Sequence, residues 1–412
     1  MSVDLAELSD IGRGAGLSAV GFCRAEPFSD TAATLHERKQ AGLHGGMQFT
    51  YRNPDRSSDP NRLVPGAAAL VVGALEYGAA EPERPDGEGP YARVAAYARR
   101  DYYTPLRRAL EAIAVALRDR GHRAAVSADA NGLVDRAAAH RAAIGWWGKN
   151  SNILVPGSGS LVVLGAVVTD ARLVSADPEP VADGCGSCRR CLDGCPTGAI
   201  VAPGKVDARR CLAWLVQADG VFDPDYRVAL GDRIYGCDDC SDVCPPNRVH
   251  LRRRSADEAP GADPSQAAAT LRIDGDTSAP QRSGDGSSRS VPTQAIDGDA
   301  SVPQQAWVGV LDLLEASDEE LLADYGRWYI PKRQPRYLRR NALVVLANVG
   351  HRCDPRVRVA VEAALGDADP LIRAHGVWCA RRLGLGLDAL TGHDDPLVRS
   401  ELQRPVPPRA AA

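Results

Sequence analysis

The chain has no run approaching the roughly eighteen apolar residues of a membrane-spanning helix. Its opening, MSVDLAELSD, carries acids where a secretory leader needs a basic stretch and an apolar core. The expectation is therefore a reducing, cytoplasmic setting in which disulfides are rare. No Gly-x-Gly-x-x-Gly follows a strand-like run, and no Gly-x4-Gly-Lys-[Ser/Thr] occurs, which excludes a Rossmann nucleotide site and a phosphate loop. Charge of one sign is also lacking: the net charge of −4 argues against indiscriminate coating of nucleic acid but leaves room for a local basic patch. With 412 residues, 44% of them apolar and 25% charged, the composition suits a globular chain of two to four domains.

Cysteine is what the chain does have. Eight of its eleven cysteines lie between positions 185 and 244. They read Cys185-x2-Cys188-x2-Cys191-x3-Cys195-Pro196, then Cys211, then Cys237-x2-Cys240-x3-Cys244-Pro245. A tight Cys-x2-Cys-x2-Cys turn can offer three thiolates to one 4Fe–4S cube, while the fourth, three residues on and followed by Pro, serves the neighbouring cube. That logic pairs Cys185, Cys188 and Cys191 with Cys244, and Cys237, Cys240 and Cys211 with Cys195. Structural zinc would prefer two Cys-x2-Cys pairs, and a disulfide framework suits a short secreted chain. Cys23, Cys353 and Cys379 lie apart and read as ordinary buried thiols.

Residues 1–178 read as mixed α/β. The short apolar runs Leu70–Leu75 and Leu161–Val168 have the look of buried strands. Pro105–Arg120 has helical periodicity through Leu106, Leu110, Ile113, Ala114 and Leu117, and Asp135–Ile144 reads as a second helix. Residues 179–250 form the cluster-bearing unit, with a short helix expected at Arg209–Gln217. Residues 251–305 are dominated from Ser255 by Ser, Asp, Gly, Pro, Ala and Gln without period, the composition of a disordered linker. In 306–412 the phrases Asp354-Pro-Arg-Val-Arg, Asp369-Pro-Leu-Ile-Arg and Asp395-Pro-Leu-Val-Arg each place a capping Asp before Pro at the first helical position. They read as helix starts of a short HEAT-like stack, or simply as three helix caps.

A pair of clusters passes single electrons, and the surrounding domains imply a built-in reaction centre. The stretch before the clusters runs Asp129-Ala-Asn-Gly-Leu-Val-Asp135-Arg136-Ala, then Ile144-Gly-Trp-Trp-Gly-Lys-Asn150, then Gly157-Ser-Gly-Ser-Leu. With Gly42-Leu-His-Gly-Gly-Met47, Arg62-Leu-Val-Pro-Gly66, Tyr97-Ala-Arg-Arg-Asp-Tyr102 and Tyr235-Gly-Cys-Asp-Asp-Cys240, it resembles the epoxyqueuosine reductases. The resemblance covers nearly the whole chain outside the linker. It implies an α/β N-terminal cobalamin-binding domain, a two-cluster ferredoxin-like domain and a C-terminal α-helical HEAT-like module. It implies two 4Fe–4S clusters and cobalamin as cofactors, and reduction of epoxyqueuosine at the wobble position of tRNA. It also implies an external electron donor such as a reductase, flavodoxin or ferredoxin, and a monomer without membrane attachment.

The same resemblance makes Asp129 the proton donor and Tyr102 a second active-site residue, and it suggests Arg62, Lys149 and Asn150 as cobalamin contacts. From local residues alone, Asp129 reads as a helix N-cap and Tyr102 equally as a structural tyrosine. Two positions depart from the family: Gly132 stands where Pro is usual, and Tyr103 replaces a His. For a tRNA substrate, Arg327–Arg340 offers Lys332, Arg333, Arg336, Arg339 and Arg340 interleaved with Trp328, Tyr329 and Tyr337. Arg252-Arg-Arg254 is a second basic run; either could instead be a solvated basic face. The competing readings are a reductive-dehalogenase-like cobalamin and iron–sulfur enzyme acting on a small molecule, and a non-catalytic iron–sulfur electron carrier.

Overall fold

The structure, a computed structural model, describes residues 3–77, 83–87, 89–257, 305–387 and 394–407. Most of the stretch read as a linker lies outside these residues. Its first part departs from that reading, because the helix Pro245–Asp257 runs on past position 250.

The two apolar runs become the strands Ala69–Glu76 and Val162–Thr169, paired antiparallel at the centre of a four-stranded sheet. Ala19–Arg24 and Ala124–Ala128 form its outer strands, both antiparallel to their neighbours. Side chains alternate across a strand, so one run serves two layers. Val71, Val163 and Val167 pack with Leu106, Leu110, Ile113 and Leu117 of the helix Tyr103–Arg118. Leu70, Val72, Ala166 and Val168 pack with Ala137 and Ala138 of the helix Asp135–Arg141. Burial on both faces explains why these strands read as unbroken apolar runs rather than as alternating ones.

Leu110 shows how closely the long helix approaches. Gly73 and Gly165 are direct cross-strand partners. A Cβ on Gly165 would come within 2.7 Å of the Leu110 side chain, and one on Gly73 within 3.1 Å. Leu110 thus fills the hollow left by two missing side chains, and Leu110→Ala would cost about 2–5 kcal/mol. The same helix is capped by Asp101, whose carboxylate accepts the backbone N–H groups of Tyr103 and Thr104 at 3.0 Å.

A second sheet draws on distant parts of the chain. Its central strand Tyr91–Val94 lies parallel to Arg233–Tyr235 and antiparallel to Trp307–Gly309. Beneath it a single core joins Val94, Leu212, Phe222 and Ile234 to Leu338, Val345, Trp378 and Val398. Beyond residue 309 the chain is a stack of helices, including Arg336–Val349, Pro355–Leu365, Pro370–Leu383 and Pro396–Gln403. The last three begin as their sequence indicates, with Asp354, Asp369 and Asp395 each accepting a backbone N–H of the first turn at 2.8–2.9 Å.

Two smaller expectations need correction. The helix expected at Arg209–Gln217 is only Leu212–Leu215, because Asp207 binds the Arg209 backbone and guanidinium in a turn and Cys211 sits just ahead of the helix. Cys353 is exposed in the turn before Pro355, whereas Cys23 and Cys379 are buried as expected. Among the described residues, no helix is long and apolar enough to cross a membrane.

Candidate functional site

The Ile144–Asn150 phrase folds as a hairpin, Trp146–Trp147 against Ile153–Leu154. Glycine is required at its open end: a Cβ on Gly145 would lie 2.3 Å from the Leu154 carbonyl oxygen. The hairpin delivers Lys149 to the cysteine loop, where its ammonium donates to the carbonyls of Gly186 at 2.6 Å and Cys188 at 2.9 Å. It also forms one wall of a cavity of about 80 Å³ lined by Cys185, Cys188, Cys191 and Cys244. Burial pushes the Cys244 thiol up to about 11, and the three other thiols add to that effect. Asn150 lines the same cavity, and its buried amide nitrogen has no hydrogen-bond partner. Among the described residues, no group of three or more His, Cys, Asp or Glu is arranged to hold a single metal ion.

The other cysteines gather separately. Cys240 is pushed up to about 12, first by burial and then by Cys211, with Cys195 contributing. Cys195 departs from the rest. Burial raises its thiol, but hydrogen bonds at Thr197, Ala199 and Ile200 outweigh that, and the Ala199 N–H donates to its sulfur at 3.2 Å. Cys237 is raised by burial and donates its S–H to Asp239 at 3.1 Å. Cys195 therefore stands with Cys211 and Cys240, while Cys244 stands with Cys185, Cys188 and Cys191.

Asp129 follows the outer strand Ala124–Ala128 at a left-handed φ of 49°, a conformation that costs an L-residue other than Gly and is enriched at functional sites. It caps no helix, since the next one begins at Asp135 after Val134. Burial raises its carboxyl above the usual range, and Arg107 partly offsets this. Arg107 also anchors the corner by donating to the Ala128 carbonyl at 3.1 Å. Asp129 lines a solvent-open groove of about 490 Å³ with Arg107, Arg108 and Val126, a volume within the usual span of ligand clefts.

Behind Asp129 lies Asp135, whose carboxylate accepts the Asp129 backbone N–H while its Oδ1 has no partner. Full burial, then the nearby Asp129, drives the Asp135 carboxyl well above the usual range. Several buried tyrosines belong to this part of the molecule. Tyr103 and Tyr235 both feel the Asp129 charge, and burial raises both phenols. Tyr77 and Tyr97 are raised chiefly by burial, and the Tyr77 and Tyr102 ring centroids lie 5.5 Å apart.

Residues 184–247 match a family described as a 4Fe-4S double cluster binding domain, and residues 57–135 match one described as "Epoxyqueuosine reductase QueG, DUF1730". The epoxyqueuosine reductase of Bacillus cereus is 36% identical over 240 residues, a stretch covering 57% of this chain and 62% of that relative. The enzyme of that name from Xanthomonas campestris is 35% identical over 263 residues, covering 61% of this chain and 72% of the relative. The chain belongs to the epoxyqueuosine reductase family. The aligned stretch spans less than two thirds of the Bacillus relative's own length. In three dimensions the likeness is longer. An epoxyqueuosine reductase structure from Bacillus subtilis, described as having its catalytic aspartate loop swung out of the active site, superposes with a TM-score of 0.76 at 25% identity. It covers 97% of this chain and 96% of that one. A crystal structure of an epoxyqueuosine reductase with an epoxyqueuosine-modified tRNA-Tyr stem loop gives 0.75 at 27% identity, with the same coverage.

Placed on this member of the epoxyqueuosine reductases, two of the residues assigned to cobalamin, Lys149 and Asn150, line the cysteine cavity, and Arg62 does not. Arg62 is exposed and lies 3.5 Å from Asp59. Lys149 is committed to the cysteine loop, and Asn150 opens on the cysteine cavity. The basic stretch also divides. Lys332 and Arg333 are exposed, with Lys332 3.7 Å from Asp219. Arg336 pairs with Asp369 at 3.1 Å, and Arg339 with Asp318. Arg340 is a correction: it is fully buried and donates to the backbone carbonyls of Leu215, Val216, Ala218 and Gly220, so it cannot present charge to a polyanion. Trp328 and Tyr337 are buried as well. Asp135, Tyr77 and Tyr235 were not singled out as site residues, although Asp135 and Tyr235 lie inside the family phrases; only their burial around Asp129 marks them.

Proposed function

We propose that this chain reduces epoxyqueuosine in tRNA to queuosine. The net change breaks both C–O bonds of the epoxide and forms a C=C bond, taking up two electrons and two protons and releasing water. The observation that carries this reading is Asp129, a carboxyl held at a strained corner, raised by burial, opening on a groove and acting by its charge on the Tyr103 and Tyr235 phenols. A raised carboxyl keeps its proton nearer neutral pH, which is what a donor to the departing oxygen needs. Tyr102, beside Tyr77, is the second residue we assign to the site.

Cys185, Cys188, Cys191 and Cys244 would hold one 4Fe–4S cluster, and Cys195, Cys211, Cys237 and Cys240 the other. The cavity shared by the first four fits that assignment. Burial opposes ionisation of most of these thiols, and iron reverses it because a coordinating thiol is deprotonated outright. Cobalamin would lie on the Asp129 side, facing Tyr77, Tyr102 and Tyr103 rather than Arg62, Lys149 and Asn150; the partnerless Asp135 oxygen there is a polar group a bound cofactor or water could engage. When bound, these groups supply single electrons and a strongly reducing cobalt centre. The protein's own part is to hold the donor proton on Asp129, to exclude water with aromatic rings, and to anchor the donor's loop through Arg107.

Lys332 and Arg333 would contact tRNA phosphates, with Arg336 and Arg339 contributing where their acidic partners release them. We also read the helical stack as HEAT-like, the chain as a monomer working in the cytoplasm beside its tRNA, and its electrons as coming from a separate reductase, flavodoxin or ferredoxin. The test is anaerobic turnover of the cluster- and cobalamin-loaded protein on an epoxyqueuosine-bearing stem loop, followed by nucleoside mass spectrometry. Queuosine, lighter by one oxygen atom, is the expected product; unchanged epoxyqueuosine under reducing conditions sinks the reading.

A further inference from the structure

The stretch Arg327–Arg340 carries three aromatic residues, and the fold treats them differently. Trp328 is 5% exposed and Tyr337 3%, whereas Tyr329 is 56% exposed. Trp328 is spent inside the protein: its ring stacks on Tyr235 at 4.5 Å and 13°, and its indole N–H donates to the Ala98 carbonyl at 3.1 Å. Tyr337 is packed beneath Arg336 and Arg340. Tyr329 alone offers a ring face to solvent.

Two observations make that exposure more than a stray surface tyrosine. The first is the turn that follows. Lys332 and Arg333 have φ values of 51° and 53°, consecutive left-handed residues without a glycine, and both side chains are exposed. Such strain persists only where the surrounding structure imposes it. Here it places two cations within four residues of the free ring. The second is the anchorage. The Tyr329 backbone N–H donates to the Tyr235 phenol oxygen at 2.8 Å, and Tyr235 stands two residues before Cys237. Arg327, two residues earlier, donates to the carbonyls of Ala98 and Arg99 in the segment leading to Tyr102. The loop is therefore fastened to the catalytic side at both Arg327 and Tyr329, and its free ring and cations stand at the border of that site.

We propose that Tyr329 is a stacking platform for an unpaired base of the RNA loop, adjoining the nucleotide whose side group reaches Asp129. This rests on the tRNA reading above and adds to it a residue and a mode of contact. An aromatic face accepts any base, and cations beside it take the flanking phosphates, so the pair recognises an unstacked single strand rather than a duplex. Specificity for a splayed loop then comes from the ring, and attraction to the polyanion from Lys332 and Arg333.

The experiment is equilibrium binding of an unmodified anticodon stem-loop RNA to the cofactor-loaded full-length protein across a salt series. The variants are Tyr329→Ala, Tyr329→Phe and Lys332→Ala. Tyr329→Ala should weaken binding about tenfold while leaving the salt slope unchanged, and Tyr329→Phe should bind as the parent does. Lys332→Ala should reduce the slope by about one. A 2-aminopurine in the loop should be quenched by the parent and not by Tyr329→Ala. If the parent binds and Tyr329→Ala binds equally well, the platform is wrong and the tRNA reading stands. If Tyr329→Phe is as weak as Tyr329→Ala, the hydroxyl and not the ring makes the contact, which also overturns the proposal. If the parent does not bind the stem loop at all, both the platform and the tRNA reading fall.

Discussion

The Arg227 guanidinium meets the Glu401 carboxylate through two hydrogen bonds of 2.8 Å, and both side chains are sealed from solvent. Arg227 belongs to the helix Pro224–Leu230 of the cluster-bearing part, and Glu401 to the helix Pro396–Gln403 near the end of the described chain. Removing one partner leaves the other charge buried and alone. Glu401→Gln should therefore destabilise the protein by about 3–5 kcal/mol in chemical denaturation, whereas replacing both residues by apolar ones should cost less. His375 sits close by, accepting the Phe222 N–H at its Nε2 and kept neutral by burial and then by Arg227. Its folded pKa lies below the unfolded one, so the stability it contributes is present above about pH 6.5 and is lost as pH falls from there.

Asp129→Asn should retain both clusters, at about eight irons and eight sulfides per chain, but lose turnover. In the parent, single-turnover rates should fall as pH rises through the raised pKa of Asp129, because only the protonated form donates. Full activity of Asp129→Asn would remove the residue from the mechanism.

Asp135→Asn separates stability from chemistry. A buried carboxyl with a raised pKa penalises the folded state once the unfolded chain ionises, from about pH 4 upward. The variant should therefore gain stability over the parent as pH rises from there, and match it at lower pH. Thermal melts at pH 3.5 and pH 7 check the sign. A variant no more stable at pH 7 than the parent contradicts it.

Arg340→Met should behave as a core lesion. It strands four carbonyls that the guanidinium now satisfies, so the expected loss is about 3 kcal/mol or more, with the salt slope of RNA binding unchanged. Lys332→Ala, by contrast, should be silent in melts and visible in that slope.

Lys149→Met should loosen the cysteine loop, because the ammonium is what joins the Trp146–Leu154 hairpin to the Gly186 and Cys188 carbonyls. Iron content after anaerobic reconstitution should drop toward half, with the cluster of Cys185, Cys188, Cys191 and Cys244 the one lost. Full iron content would show that the anchor is dispensable.

What could be read from the residues was whatever is local. Cysteine spacing depends on a few turns, the Asp-Pro helix starts on a single turn each, and the strands Ala69–Glu76 and Val162–Thr169 on runs of apolar side chains. What could not be read was the solvent exposure that tertiary packing imposes on like residues. Arg340 and Lys332 are both cations of one basic stretch, yet one ties down the 215–220 turn and the other faces water. Asp135 looks like an ordinary first-turn acid until the sheet closes over it. Nothing in the phrase Gly-Lys-Asn reveals that a hairpin will carry the Lys149 ammonium to a loop nearly forty residues later.

The second sheet bears on how the molecule is made. Arg93 has Trp307 as its antiparallel partner, so the central strand stays half-paired until the ribosome has delivered a segment beyond the 258–304 stretch. Until then the nascent chain holds an open strand edge and an unfinished core next to the cysteine-rich stretch 185–244. Excising residues 184–247 as a stand-alone electron carrier would leave the partners of Arg233–Tyr235 behind. Completion of this sheet, and of the core beneath it, is thus one late event in synthesis.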